Sequence, residues 1–455
     1  MNTFFKSKFV RFAFILTILT INACKKDEPI VENTIKGGTA ATYDAKVLSA
    51  WYGHTLDLIK TTGGYTPPVA SRTLGYIGIT VYEAMLPAMP EYKSLAGQLN
   101  GLSTMPSPEF GKEYYMPAVA NAALAAINTK MFPLPEAKKG KFDSIAVIRD
   151  YFDADFRKNG ISQEILTRSY TYGEAVANAI YAWESADIIG HEGFRKNFPA
   201  SYTVPTGTGL WEPTGAQVIP LQPFWGSARC FVPKNIDEAQ PSAPPAFTTS
   251  VNSDMYNYAL QVFNQVKNNT PEQKKIALFW ADGGGTVTPP GHSIALTRQL
   301  IDEKGLKLDK AVEAYAKVGI AVADAFMACW KCKYKYNLMR PVTYIKKNID
   351  PTWTPLIATP PFPEYTSGHA SQSGATAYVL SSLFGSKTAF TDKTHQNRKD
   401  IDGTPRSFDS FDDMAKEAAI SRLYGGIHYE FGNTAGMSAG MKVAQALESK
   451  VNFKK

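Results

Sequence analysis

A serine–glycine–histidine triplet, Ser367-Gly368-His369, is the first place where residue types and spacing suggest chemistry. A proline-rich loop precedes the triplet, and a run of small and apolar residues typical of a helix follows it. Ser367 is a favourable N-cap residue, so the amides of Gly368 and His369 are predicted to open that helix. Unpaired N–H groups and partial positive charge at a helix start suit a tetrahedral oxyanion. His369 would exchange a proton with the bound anion, unless the segment is only a capped core helix with an incidental histidine.

Cationic residues and a second histidine flank this triplet. Lys333 and Arg340 lie upstream of it. Arg422 and His428 lie downstream, separated from each other by a Gly-Gly pair. If the helix that carries Lys333 continues to Arg340, the two residues are seven positions apart and project from nearly the same face. No carboxylate is placed with these groups in the sequence, so they predict a site for phosphate or vanadate rather than for a divalent cation.

The elements that must position these residues are helices. Helical periodicity extends through almost the whole chain. The predicted helices are approximately 44–61, 71–85, 117–131, 136–155, 163–185, 254–267, 271–280, 294–303, 308–336, 410–424 and 434–449, together with the helix opened by Ser367. Between Gly190 and Ser250 the sequence is dense in proline and glycine, which predicts a partly ordered excursion that covers a site. The predicted fold class is all-α: a multi-helix bundle with one long irregular excursion.

The N-terminus has the pattern of a bacterial lipoprotein signal. Basic residues and a short apolar run precede Cys24. Residues 1–23 are predicted to be a signal peptide, Cys24 the lipidated first residue of the mature protein, and 24–42 a flexible tether. An ordinary secretory signal that contains a cysteine is the alternative. The protein is therefore expected to be exported and lipid-anchored to the outer membrane, on the periplasmic or cell-surface side.

The remaining chain, residues 43–455, is predicted to be one all-α catalytic domain, with the motif-bearing core in 251–455. Beyond the N-terminus no window is long and apolar enough to span a bilayer, so the lipid is the only predicted membrane attachment. Residues 1–23 carry three basic and no acidic residues, and their removal reduces the formal charge from +7 to +4. Without a basic stripe this excludes a nucleic-acid partner.

The flanking residues and the triplet together resemble the signature shared by vanadium-dependent haloperoxidases and type-2 phosphatidic-acid phosphatases. The resemblance lies in three blocks: Lys333-x6-Arg340-Pro341, Ser367-Gly368-His369 and Ser421-Arg422-x3-Gly426-x-His428. Trp330 and Phe362 match positions that line the halide pocket in chloroperoxidase-like members. The segments 72–84 and 279–290 also resemble that branch, so the likeness covers most of 43–450.

The resemblance implies an all-helical fold and a vanadate cofactor. The residues implied to hold the vanadate oxygens are Lys333, Arg340, Ser367, Gly368 and Arg422. His428 would bond vanadium, His369 would be the acid–base group, and Lys333 would also assist peroxide activation. Hydrogen peroxide and a halide, expected to be chloride or bromide, would be the substrates, and hypohalous acid the product. Asp282 is implied as an anchor for one of the arginines.

The sequence departs from the family pattern at Gly432. Many members carry an aspartate four residues after the second histidine, where it orients the ring, and here that position is glycine. Glu430 or Asn433 is the nearest replacement in the sequence. Thr366 also stands where members often have proline, which is a milder change.

Two other functions stay open at this point. The first is an acid phosphatase that acts on a phosphate ester, with His428 as nucleophile and His369 protonating the leaving group. The second is a lipoprotein that binds an oxyanion or a partner without catalysis, which Gly432 would favour. The sequence gives no indication of the oligomeric state.

Overall fold

The fold is known from a computed structural model that describes residues 34–133 and 143–455. The predicted signal peptide and Cys24 lie outside the described residues. The α-helices are α1 Lys46–Thr61, α2 Pro67–Met85, α3 Met116–Met131, α4 Ser144–Lys158, α5 Gln163–Ser185, α6 Ile188–His191, α7 Asn235–Glu238, α8 Asp254–Asn268, α9 Pro271–Phe279, α10 Thr288–Glu303, α11 Leu308–Tyr336, α12 Pro341–Asn348, α13 Gly368–Phe384, α14 Phe411–Tyr424 and α15 Glu430–Lys450. The strands β1 Phe390–Asp392 and β2 Arg406–Phe408 pair antiparallel. The predicted all-α fold class is confirmed.

Helix α11 lies at the centre of the molecule. Most of its residues between Leu308 and Lys333 are buried, and α2 is buried almost along its whole length. Helices that are apolar on every side belong in a core. Since α11 packs against α2, α13 and α15, it connects the N-terminal helices with the helices that carry the second half of the motif.

Helices α13 and α15 lie close together because their facing positions are glycines. A Cβ atom at Gly440 would overlap the carbonyl of Ser371, and one at Gly374 would overlap the carbonyl of Met437. Glycine permits this close approach of two backbones. The result is that the beginnings of both helices meet: the Ser367 amide donates to the Gly432 carbonyl at 3.0 Å.

Helix α11 has its predicted bounds, so the condition under which Lys333 and Arg340 would share a helix face is not met. The helix ends at Tyr336, and Asn337 takes a left-handed conformation with φ of 44°. Arg340 is the N-cap of the separate helix α12, whose first position is Pro341. Proline is favoured there because its amide would be unpaired in any case. Lys333 and Arg340 therefore do not share a helix face.

Between α6 and α8 the described chain is mostly irregular. Its regular structure there is limited to a 3-10 turn at Trp225–Ser227 and the short α7. Leu221 holds this segment against the loop before α13, because its amide donates to the Pro361 carbonyl at 2.8 Å. The excursion thus lies over the same loop that carries Phe362.

Two further details differ from the sequence predictions. The hairpin β1–β2 lies between α13 and α14, where the sequence analysis predicts no strand. The end of the predicted tether is also part of the fold, since the Lys36 amide donates to the Lys112 carbonyl at 2.7 Å and Ala40 is buried. None of the helices in 34–133 and 143–455 combines the length and apolar character that crossing a bilayer requires.

Candidate active site

The start of α13 has the predicted cap. The Ser367 hydroxyl accepts from the Ala370 amide at 3.4 Å, and Ser367 and Gly368 are both buried. Aspartate, asparagine, serine and threonine at this position compensate an unpaired N–H at a helix start. The first-turn amides therefore lie inside the protein, where the positive end of the helix dipole acts with little screening by solvent.

Lys333 is buried on α11 below the loop that precedes α13. Its ammonium donates to the carbonyls of Pro363, Glu364 and Thr366, at 2.9, 2.9 and 2.5 Å. Burial lowers the pKa of Lys333 to about 8. These carbonyls use all three N–H bonds of the ammonium, so contact with an anion requires Lys333 to exchange one of them.

Arg340 connects the loop before α13 with the histidine that follows α14. Its Nε donates to the Phe362 carbonyl at 2.7 Å, and its Nη1 donates to the Ile427 carbonyl at 2.9 Å. The same Nη1 lies 3.1 Å from His428 Nε2. Burial lowers the pKa of Arg340 to about 10, so the guanidinium remains charged at neutral pH.

Arg422 and His369 occupy a neighbouring part of the site. Arg422, near the end of α14, donates from Nη1 to the Trp280 carbonyl at 2.8 Å. Burial lowers the pKa of Arg422 to about 9, against the charge of Asp282. Burial, followed by the charge of Arg422, holds the pKa of His369 well below its usual value. In the absence of an anion His369 is therefore neutral at neutral pH.

His428 lies on the loop between α14 and α15, and it contacts a carboxylate that the sequence analysis did not place in the site. Its Nδ1 is 2.7 Å from Glu364 Oε1, and both side chains are buried. Burial and the charges of Arg340 and Lys333 hold the pKa of His428 well below its usual value. Burial raises the pKa of Glu364 to about 7, and the charges of Lys333 and Arg340 oppose that rise.

Two expectations are corrected by this contact. A carboxylate does lie among the cationic groups, because Glu364 is brought to them by the loop before α13. The residue beside His428 is also neither of the predicted replacements. Glu430 accepts instead from Gln261, and the side-chain nitrogen and oxygen of Asn433 have no partner within 34–133 and 143–455. The available signal was an acidic residue within an otherwise uncharged proline-rich run.

Trp330 and Phe362 form an apolar wall beside the cations. Their ring centroids are 5.0 Å apart, and the Lys333 ammonium lies 5.1 Å from the Phe362 ring. The Trp330 indole donates to the carbonyl of Leu221 at 3.2 Å. The irregular segment between α6 and α8 therefore holds the Trp330 ring in place through Leu221.

The side chains of this site keep unpaired donors. Arg340 Nη2, Arg422 Nε and His369 Nε2 are buried and have no hydrogen-bond partner among the described residues. A buried donor without a partner costs about 1–3 kcal/mol, so the unpaired donors of the two arginines indicate a missing acceptor. An oxyanion fits the two guanidinium groups and the α13 amides, with Lys333 beside them and the neutral His369 imidazole placed to exchange a proton with it.

Asp282 does not form the predicted hydrogen bond to an arginine. Its carboxylate oxygens contact His395 Nε2 at 3.0 Å and His292 Nδ1 at 2.9 Å. His292 Nε2 contacts Asp392 at 2.7 Å. Asp282, His292 and His395 are close enough to hold a metal ion, but hydrogen bonds already pair these groups with one another. Asp282 acts on Arg422 only through its charge.

Comparison with known proteins agrees with this fold. A model of the second helical-bundle domain of vanadium chloroperoxidase matches residues 313–454. Vanadium chloroperoxidase of Curvularia inaequalis is 24% identical over 488 residues, which cover 86% of this chain and 79% of the relative. The structure of a holo-type bacterial vanadium-dependent chloroperoxidase is similar in fold, with a TM-score of 0.64 at 14% identity and coverage of 86% of this chain and 93% of that one.

A bacterial vanadium-dependent iodoperoxidase shares more of the sequence. Its structure is 31% identical with a TM-score of 0.79, and the match covers 91% of this chain and 98% of that chain. The chain therefore belongs to the vanadium-dependent haloperoxidases, which are enzymes with a vanadate cofactor.

Proposed function

We propose that this enzyme oxidises halide with hydrogen peroxide to hypohalous acid, with vanadate held in a cradle formed by Lys333, Arg340, Ser367, Gly368 and Arg422. The observation that carries the proposal is the pair of buried, unpaired donors on Arg340 and Arg422, beside the unpaired Nε2 of His369 among the described residues. Vanadate supplies a Lewis-acidic centre at which peroxide is activated towards halide.

The protein residues hold charge and protons around that centre. His428 is neutral and presents Nε2 to the cradle, so this nitrogen is the proposed vanadium ligand. The arginines and the α13 amides neutralise the oxyanion without reorganisation. His369 is neutral with Nε2 free, so it accepts a proton from the incoming peroxide and returns it later. Lys333 reaches the oxidant by exchanging one of its carbonyl contacts.

The halide is proposed to approach along Trp330 and Phe362. These rings exclude water from one side of the cradle, and the adjacent Lys333 and Arg340 charges attract an anion. The likeness to an iodoperoxidase makes iodide the first halide to assay, followed by the bromide and chloride expected from the sequence.

An acid phosphatase is the second candidate, and the buried Glu364–His428 pair favours it. A carboxylate beside a neutral imidazole also supports a histidine nucleophile. The same cradle would then bind a phosphate ester, with His369 protonating the leaving group.

One pair of assays separates these functions. Protein lacking residues 1–24 is incubated with orthovanadate and assayed for halogenation of monochlorodimedone with peroxide and each halide. Vanadate-free protein is given para-nitrophenyl phosphate in parallel. Vanadate-dependent halogenation inhibited by phosphate is expected, whereas ester hydrolysis inhibited by vanadate without halogenation would contradict the haloperoxidase proposal.

Export and lipid anchoring at Cys24 are proposed from the sequence alone. The expected result is membrane-associated protein that carries fatty acid, measured by metabolic labelling in a bacterial host. Cys24→Ser should release the protein from the membrane fraction. Equal membrane association of both forms would contradict the anchor.

A further inference from the structure

The contacts around His428 select one tautomer of its ring. Nε2 lies 3.1 Å from Arg340 Nη1, and a guanidinium nitrogen can only donate. Nε2 must therefore accept, and the proton of the neutral ring is on Nδ1. Nδ1 donates it to Glu364 Oε1 at 2.7 Å, and the Tyr429 amide donates to the same oxygen at 3.2 Å. Arg340 and Glu364 thus favour the same tautomer from opposite sides of the ring, and Glu364 holds the ring so that Nε2 faces the cradle.

The position of Glu364 depends on the absence of a side chain at Gly432. A Cβ atom at Gly432 would overlap Glu364 Oε1 and lie 3.0 Å from the carboxylate carbon. Gly432 is four residues after His428, at the first turn of α15. The carboxylate that reaches the ring here comes from the loop before α13, and it fills the space that a side chain on α15 would occupy.

We propose that Glu364 is the positioning residue that sets the tautomer and orientation of His428, and that Gly432 provides the space for this carboxylate. The effect on vanadate binding rests on the proposed function, in which vanadate is the ligand of the cradle. The tautomer of His428, however, can be measured in the ligand-free protein. Loss of a group that orients a metal-binding histidine typically weakens metal binding about 10–100-fold.

The first test is vanadate affinity, measured by titration calorimetry without peroxide or halide. Glu364→Ala is expected to weaken vanadate binding about 10–100-fold. Glu364→Gln is isosteric and keeps an oxygen that accepts from Nδ1, so its vanadate affinity should fall less than that of Glu364→Ala. Glu430→Ala removes an exposed acidic residue from the same region and should bind like the wild-type protein. Thermal melting of every variant establishes that it is folded.

The second test exchanges the position of the carboxylate. Gly432→Asp alone should weaken vanadate binding, because its side chain overlaps Glu364. Combined with Glu364→Ala, the same substitution has room and returns a carboxylate to the ring, so affinity should recover relative to Glu364→Ala. If the folded double variant binds vanadate no better than Glu364→Ala, the proposal that Gly432 provides the space for the Glu364 carboxylate is overturned.

The third test reads the tautomer directly. In ligand-free protein with ¹⁵N-labelled histidine, the His428 signal, assigned with His428→Ala, should show a protonated Nδ1 and an unprotonated Nε2. Glu364→Ala removes the acceptor of the Nδ1 proton and leaves the Arg340 contact alone to favour this tautomer, so the ring should become a mixture of both tautomers. A merely structural role for Glu364 would leave the ring signal in place. An unchanged tautomer together with wild-type vanadate affinity in folded Glu364→Ala would overturn the proposal.

Failure of the proposed function would appear differently. Wild-type protein that bound no vanadate would contradict the haloperoxidase cradle, whereas the tautomer measurement would still decide the role of Glu364. Conversely, if wild-type protein binds vanadate and folded Glu364→Ala has the same vanadate affinity and the same His428 tautomer, only the role of Glu364 is contradicted.

Discussion

Two regions of the molecule bury a histidine against carboxylates, and they differ in what is left unpaired. In the first, His292 lies between Asp282 and Asp392, and His395 contacts the second oxygen of Asp282. The remaining oxygen of Asp392 accepts from the Thr394 amide. Both nitrogens of His292 and all four oxygens of the two aspartates therefore have partners.

In the second region, His428 has a similar carboxylate partner in Glu364, but its surroundings are different. The cationic side chains of Lys333, Arg340 and Arg422 converge on it from three separate segments. Arg340 and Arg422 have guanidinium nitrogens without a hydrogen-bond partner among the described residues. A paired buried network contributes to the fold, because each group compensates the desolvation of another. A network in which positively charged groups keep unpaired donors indicates a site for an anion. Both regions contain buried histidines, but the first stabilises the fold and the second is the candidate binding site.

The largest expected effect is on activity, from His428→Ala. Removing the proposed vanadium ligand should lower vanadate affinity and halide oxidation by more than the roughly 100-fold typical of a supporting residue, with little change in the melting temperature. His54→Ala is the matched control, because His54 lies outside the cradle and should leave both properties intact. Equal loss of activity in the two variants would contradict the assignment of the cradle.

At His292 the expected effect is on stability instead of vanadate binding. His292→Ala leaves the buried carboxylates of Asp282 and Asp392 without their shared partner, so the free energy of unfolding should fall by about 3–5 kcal/mol. Vanadate affinity of the folded protein should change much less than in His428→Ala. Thermal melting and calorimetric titration measure the two properties. Wild-type stability in this variant would show that the network does not stabilise the fold.

A smaller effect is expected from pH. Burial alone would lower the pKa of His292, but the carboxylates of Asp392 and Asp282 raise it to about 10. Since the folded pKa is above the unfolded value of about 6.5, this stabilisation is complete below pH 6.5 and is lost as pH rises towards 10. The difference in melting temperature between wild-type protein and His292→Gln should therefore shrink from pH 6 to pH 10. A constant difference would contradict a protonated His292.

The smallest expected effect is stabilisation by phosphate. Phosphate supplies the acceptors that the cradle lacks, so at about 100 times its dissociation constant it should stabilise the fold by about 2.7 kcal/mol. The melting temperature should rise by a few degrees. Arg422→Ala should reduce this rise, whereas His54→Ala should not. Equal stabilisation of all three proteins would indicate binding outside the cradle.

Local features of the fold were predictable from the sequence. The bounds of α5 and α11 agree with the prediction, and Ser367 caps α13. These features depend on residues within a few turns of each other, where periodicity and capping preferences act. The order of the cationic residues around the triplet likewise predicted an anion site, although Lys333 and Arg340 do not share a helix face.

Contacts between distant segments were not predictable in the same way. Glu364 and His428 are separated by 64 positions in the chain, and no periodic pattern links them. Asn337, which ends α11, is a residue that adopts a left-handed conformation more readily than most, but its presence does not require one. Asp282 lies in the loop between α9 and α10, and Asp392 is the last residue of β1. Only the folded structure brings these two partners of His292 together.

The close approach of Gly432 to Glu364 also constrains how this sequence can have diverged. A carboxylate can reach His428 from position 364 or from position 432, but the two side chains compete for one space. A lineage that moves the carboxylate by single substitutions must pass through an intermediate that is either crowded or lacks a partner for the ring. The two arrangements are therefore separated by a barrier in fitness, and each tends to persist among the descendants that inherit it.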